Sequence, residues 1–396
     1  MSMAGPKRVA VLRLLWAPGP PVADESPQLQ WSDEFFHEVF QASNGWSLRD
    51  YWLRASFGLL QLEFDFSVAH WWRFGDHSHA ELKDNRNGIL AAARQVVEGD
   101  NGVSLAGFDA VIAFVHAPPS NAGACGGGAV FDQGGSMAFF QHELGHVLGF
   151  EHSFGPLIPP PDEFGSLYND PYCVMGYTGL QSHALPVPPA FASLTNINSG
   201  FWTSERRPAA ASLYRRFTGT PDFVDSGWVT HAEPGARLWV AALSEVVTTA
   251  PVLAVLPLSI GHSQLTIEYR TQSADDAGVA PGVVIHSIGA HDVGVGRSEV
   301  DPPWFETVLP PVVGASADVL GVHLEVVTVS TGSPGGIEVQ TSTQSTRTHI
   351  FNEGDQEGVS HTRLGRTSAP LPVTPVGVVA DGAPHTHLGA GPRRLQ

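Results

Sequence analysis

An α+β domain followed by an all-β domain is the architecture this sequence predicts, and three observations predict it. Over residues 1–217, segments with apolar residues at helical spacing are interspersed with alternating or continuously apolar runs of strand length. From about residue 218 the helical spacing vanishes, and short Val/Leu-rich runs alternate with Gly, Pro, Asp and Ser turns. That is the pattern of a β-sandwich-like domain, here over 218–342. A Ser/Thr/Pro/Gly-rich stretch of low hydrophobicity, 343–396, reads as a flexible tail.

The elements follow in order. Residues 9–16, VLRLLW with its flanks, read as a first strand; the run faintly resembles a signal peptide, but Arg13 interrupts it and Pro18 follows at once. Ser32 caps an amphipathic helix whose apolar side is Phe35, Phe36, Val39 and Phe40. Ser47 with Asp50 resembles a capping box that opens a second short helix. Leu60, Leu62, Phe64 and Phe66 alternate with polar residues, a half-buried strand. Ile89, Leu90, Ala93, Val96 and Val97 lie at helical spacing over 88–98, and Val111–Val115 is a continuous apolar run suited to a central strand. A Gly-rich stretch, 122–135, leads to Ser136, which caps a helix carrying Phe139, Phe140, Leu144 and Leu148. Residues 154–171 form a Pro/Gly-rich loop, and 185–217 hold Pro-rich and helical pieces that close the first domain.

Composition sets outer limits. A chain of 396 residues with 42% hydrophobic content can bury a large core and divide into two domains or more. Its net charge of −18 argues against nucleic acid and anionic membrane surfaces as partners. No stretch approaches the roughly 20 apolar residues of a membrane span. Cationic peptides are compatible with the charge, and nothing in the sequence speaks to oligomeric state.

The chemistry is concentrated in QHELGHVLGFEHS. Residues four apart on a helix share one face, so His142 and His146 point the same way and can reach one metal ion at about 2.0–2.1 Å. Glu143 is rotated off that face, where it can act on water without ligating. Gly149 accepts positive φ and ends the helix, which returns His152 to the ion as a third ligand. Three protein ligands leave a position open, as a catalytic zinc site requires, and zinc lowers the pKa of water to roughly 7. Glu143 would then serve as general base.

HELGHVLGFEH resembles the zinc signature of the metzincin metallopeptidases, and YNDPYCVMGY (168–177) resembles their methionine-containing turn. More distantly, 47–66, 265–289 and 312–340 resemble segments of the gametolysin-like and immune inhibitor A-like peptidases. The resemblance implies a twisted mixed sheet plus a zinc-binding helix, one catalytic Zn²⁺, Met175 as apolar floor beneath the histidines, and Tyr177 near the metal or the oxyanion. It also implies an edge strand before the zinc helix, expected at Ala129–Phe131, that pairs with extended substrate. Cys173 stands where such relatives often carry Asp.

A disulfide between Cys125 and Cys173, the chain's two cysteines, would brace the turn at Met175 and favour an oxidising, extracellular setting. Asp162, Glu163 and Asp170 could bind Ca²⁺, although without recognisable ligand spacing they read as a solvated acidic loop. His231, His262, His286, His291 and His323 show no ligand spacing and read as structural. The expected activity is zinc-dependent hydrolysis of protein or peptide substrates. A binding or adhesion protein with structural zinc, and a zinc amidase acting on a non-protein substrate, are the alternatives.

Overall fold

The first strand, β1 (Gly5–Leu15), organises the N-terminal half because its two faces are both apolar. It pairs in parallel with β2 (Leu60–Asp65), β3 (Trp71–Arg73) and β4 (Ala110–Val115). β6 (Gly128–Asp132) continues the parallel set beside β4, and β5 (Gly123–Cys125) closes the order β2-β1-β4-β6-β5 antiparallel to β6. The computed structural model describes residues 4–16, 32–66, 71–74, 77–115, 121–132, 134–156, 168–176, 182–192, 200–218, 223, 226–244, 250–259, 263–291, 301–332 and 335–343. The expected tail beyond 343 lies outside them.

Alternation along these strands feeds two cores. Val9, Val11, Ile112, Phe114, Ala129 and Phe131 join one apolar cluster with α1 (Asp33–Phe40), α2 (Leu48–Ala55) and α5 (Met137–Val147). Ala10, Leu12, Leu14, Val111, Ala113 and Val130 join another with α4 (Arg86–Arg94), which follows the single turn α3 (His79–Leu82). Helices thus cover both faces, and β4 is buried throughout as its unbroken apolar run requires. The helix expected over 88–98 is α4 continued by a π-helical turn, Gln95–Asp100.

The caps agree with expectation except in one detail. The Ser32, Ser47 and Ser136 side chains accept from the N–H groups of Phe35, Asp50 and Phe139. The box at Ser47 is only half formed, because Asp50 accepts from Gly45 N–H at 2.8 Å while Ser47 N–H donates to Asn44 Oδ1.

A short pair, β7 (His183–Ala184) and β8 (Thr203–Ser204), precedes α6 (Ala210–Phe217). The remaining strands are β9 (Val229–His231), β10 (Arg237–Ala241), β11 (Leu253–Pro257), β12 (Gln264–Arg270), β13 (Gly282–Ile288), β14 (Pro303–Leu309), β15 (Ser316–Val319), β16 (Val322–Ser330) and β17 (Gly336–Thr343). They form a sheet of order β14-β13-β12-β11-β9 and another of order β10-β17-β16-β15. Leu238, Leu256, Ile267, Ile285, Leu324 and Val339, drawn from both sheets, share one apolar cluster. The whole is a mixed α+β protein.

The two halves are joined through buried side chains. Along β11, Leu253 and Val255 belong to the cluster of the N-terminal helices, while Ala254 and Leu256 belong to that of the two sheets. Along β12 the N-terminal side is charged. The Arg270 guanidinium meets Asp276 at 2.7 Å and Glu268 at 3.1 Å, and Glu268 accepts from Ala210 N–H at the start of α6. Arg54 of α2 pairs with Asp275 through two hydrogen bonds, and Arg207 joins the same carboxylate at 3.0 Å. Buried charges persist only when matched in this way.

Candidate metal centre

α5 places the first two histidines one turn apart, and its end places the third. Gly149 takes φ +84°, and the Gly149 and Phe150 N–H groups close on His146 and Gly145 carbonyls. Arg216 of α6 donates from Nε to the Leu148 carbonyl at 2.7 Å, so a cation caps the negative end of the helix. The chain then turns back, and His152 comes alongside His146.

The three imidazoles converge. His146 Nε2 lies 3.2 Å from His142 Nε2 and 3.1 Å from His152 Nε2. Tetrahedral zinc at about 2.0–2.1 Å would set its ligand nitrogens about 3.3–3.4 Å apart, so this spacing fits. The outer nitrogens fix the tautomers: His142 Nδ1 donates to Val174 O at 2.6 Å and His146 Nδ1 to Phe150 O at 3.0 Å. A carbonyl only accepts, so each of these two rings carries its proton outward and turns a lone pair inward. Burial pushes the His142 pKa down to about 4, which keeps the ring neutral at physiological pH. Inward-facing lone pairs repel unless a cation sits between them. His142, His146 and His152 are therefore a set that could hold a metal ion.

Glu143 is half-buried beside the histidines, and its Oε2 accepts from Ala124 N–H on β5 at 2.8 Å. Burial raises its pKa, against the opposing pull of His146, the Ala124 N–H and Arg86. Among the described residues its Oε1 carries no hydrogen bond. A cleft of about 530 Å³ opens here, lined among others by Arg86, Ala124, Cys125, Glu143, His146 and His152.

Met175 is fully buried under α5. A Cβ added at Gly145 would come within 2.5 Å of its sulfur and 3.1 Å of the Trp52 ring, so a glycine here is what lets the helix approach the turn so closely. Ser153 N–H donates to Met175 O at 3.0 Å, joining the His152 loop to the same turn. Tyr177 lies outside the described residues, as do Asp162, Glu163 and His262.

Three expectations need correction. Cys125 and Cys173 are free thiols with separate surroundings. Cys125 Sγ donates to the Arg86 carbonyl, whereas Cys173 Sγ accepts from the Met175 and Ala209 N–H groups at 3.4 and 3.2 Å and contacts Ser212 Oγ. The buried sulfur thus gathers the backbone donors that a carboxylate at this position could gather. Ala129–Phe131 is not an edge: β6 is paired on both sides, and β5 is the outer strand. Asp170 is no part of a solvated acidic loop. It is buried and accepts from Ser153 Oγ at 2.5 Å, Tyr172 N–H at 2.8 Å and His286 at 3.0 Å.

Several contributors escaped the sequence reading. Tyr168 stacks on His152 with ring centroids 3.9 Å apart. Arg206 donates to the Asp170 carbonyl, and Arg270 to the Tyr172 and Pro208 carbonyls. Phe154 exchanges backbone hydrogen bonds with Pro303 and Phe305 at the end of β14. Glu268, Arg270, Asp275, Asp276 and His286 all fall within 265–289, on β12, the 3-10 turn after it and β13; the signal was a strand that alternates apolar residues with charged ones. His291, just beyond β13, pairs with Glu306, His323 of β16 with Asp318, and the His231 ring of β9 lies against Tyr214.

No helix among the described residues is long and apolar enough to cross a membrane. The chain matches no protein-family model, and no curated protein matches it.

Proposed function

We propose that this chain is a zinc-dependent endopeptidase of the metzincin kind. The observation that carries the reading is the convergence of three imidazole Nε2 atoms, two of them with protons held outward by carbonyls, beside a carboxylate of raised pKa. A metal structural site usually has four protein ligands, and the described residues offer three. Bound zinc would supply a Lewis acid and lower the pKa of water to about 7.

The residues divide the remaining work. His142, His146 and His152 hold the ion, and Met175 supports them from below. Glu143, fixed through Oε2 by the Ala124 N–H, takes a proton from the attacking water on Oε1 and delivers it to the leaving amine. β5, the outer strand beside the cleft, offers backbone pairing to an extended peptide. Tyr177 would steady the oxyanion, as the resemblance implies. The strands beyond 228, in the β-sandwich-like reading, brace the site instead of forming a separate binding module.

The test is hydrolysis of casein or a peptide library with and without a chelator, beside elemental analysis of protein purified without one. About one zinc per chain and chelator-sensitive cleavage are expected. Absence of metal, or cleavage indifferent to its removal, overturns the reading.

A further inference from the structure

The geometry points to Arg86 as a specificity-determining residue that binds a substrate carboxylate beside the scissile bond. This rests on the peptidase reading and names a substrate class for it.

Arg86 stands in the first turn of α4, and its side chain lines the same cleft as Glu143, His146 and His152. Its position depends on Gly123 in β5. A Cβ there would lie 2.4 Å from Arg86 Nη1 and 3.1 Å from Glu143 Oε2, so the guanidinium and the general base flank one bare glycine. With φ +133°, Gly123 also has a backbone that side-chain-bearing residues rarely adopt.

Among the described residues the guanidinium makes no hydrogen bond and no ion pair, and it reaches Glu143 and Cys125 only through its field. Arg54, Arg206, Arg207 and Arg270, at the junction of the two halves, each meet a carboxylate, whereas Arg86 meets none although Glu143 shares its cleft. Carboxylates are in excess, 39 Asp and Glu against 21 Lys and Arg, so their supply does not explain the vacancy. Arginine offers a planar fork of donors that matches a carboxylate in two parallel hydrogen bonds. A group that enters the cleft, reaches past Glu143 without displacing it and satisfies that fork is an Asp or Glu side chain next to the cleaved bond, or a peptide's C-terminal carboxylate.

The experiment compares peptides that differ only by Glu against Gln at each position within two residues of the cleaved bond, and by a free against an amidated C-terminus. The wild-type protein is expected to prefer the carboxylate form at one position by about tenfold or more in kcat/KM, mainly through KM. Arg86→Gln brings that ratio close to one, and Arg86→Glu turns the preference toward Lys at the same position, which loss of structure alone would not do. Loss on amidation assigns the terminal carboxylate; loss on Glu-to-Gln exchange assigns the side chain. A wild-type ratio near one, or a ratio kept in Arg86→Gln, overturns the proposal. Fluorescence anisotropy with Glu143→Ala and the same labelled peptides gives a reading without turnover. If no peptide is cleaved, the function assignment fails, and the binding ratio still decides Arg86.

Discussion

Replacing His286 by alanine should cost far more than replacing His323, although both imidazoles face an aspartate. His286 Nε2 lies 3.0 Å from Asp170 with both side chains at 0% exposure, whereas His323 Nδ1 lies 2.7 Å from Asp318 with 38% and 57% exposed. Distance alone would rank the second pair higher. Burial reverses the order, because breaking a buried pair by removing one partner strands the other charge at about 3–5 kcal/mol, while exposed pairs contribute about 0–1 kcal/mol. The buried His286 Nδ1 has no hydrogen-bond partner, which places the loss near the lower end, about 3 kcal/mol. Asp170 also carries Ser153, next to His152, so in the proposed site the loss should loosen the loop that brings this imidazole to the other two. Groups bonded directly to a metal ligand are worth about 10–100-fold in metal affinity, so a support one step further out is expected at or below the lower end, about tenfold. Urea unfolding of both variants and zinc competition against a fluorescent chelator provide the measurements. Equal losses for the two, or unchanged zinc affinity in folded His286→Ala, would refute the reasoning.

The same pair gives a pH dependence. Burial opposes the His286 imidazolium, yet the Asp170 charge and hydrogen bond hold its pKa above the usual value; burial would likewise raise Asp170, but His286, Ser153 and the Tyr172 N–H hold it down. The His286 contribution is therefore complete below about pH 6.5 and lost as pH rises through its raised native value, and that of Asp170 is complete above about pH 3.9 and lost as pH falls through its lowered one. The gap in thermal midpoint between the parent and His286→Gln, measured without metal, should be widest between those limits and narrow toward pH 9. Glu143→Gln should retain zinc by elemental analysis and lose about 10²–10⁴-fold in kcat, a range typical of general-base removal. Gly145→Ala forces a Cβ against the Met175 sulfur and the Trp52 ring, at about 1–3 kcal/mol in a thermal melt, with zinc retention falling alongside. In native protein a thiol reagent should label Cys125 and spare Cys173, which is buried with its pKa pushed up to about 11; labelling of neither thiol before reduction would instead show a disulfide.

What the sequence made legible was local. His142, His146 and Gly149 follow from helix geometry and one glycine, and the Ser32, Ser47 and Ser136 caps from neighbouring donors. The strand run 111–115 announced its burial on both faces. What stayed hidden depends on partners far along the chain. Nothing near Asp170 says that its carboxylate meets His286, 116 residues away, and nothing near Arg54 points to Asp275, 221 residues away. The two cysteines suggested a bridge because both flank the metal run, but sequence proximity to one site does not put two sulfurs on the same side of it. Ala129–Phe131 looks like an edge in the sequence because the short outer strand Gly123–Cys125, rich in small residues, carries no strand signal of its own.

Time enters through the bracing of the His152 loop. Its carboxylate brace, Asp170, waits for His286, and its backbone brace at Phe154 waits for Pro303 and Phe305. During synthesis the histidines therefore emerge well before the strands that steady them. Pairings so distant in sequence are slow to close. A nascent chain carries all three histidines while lacking the scaffold that keeps them in register, and their convergence is complete only after the last sheets have docked.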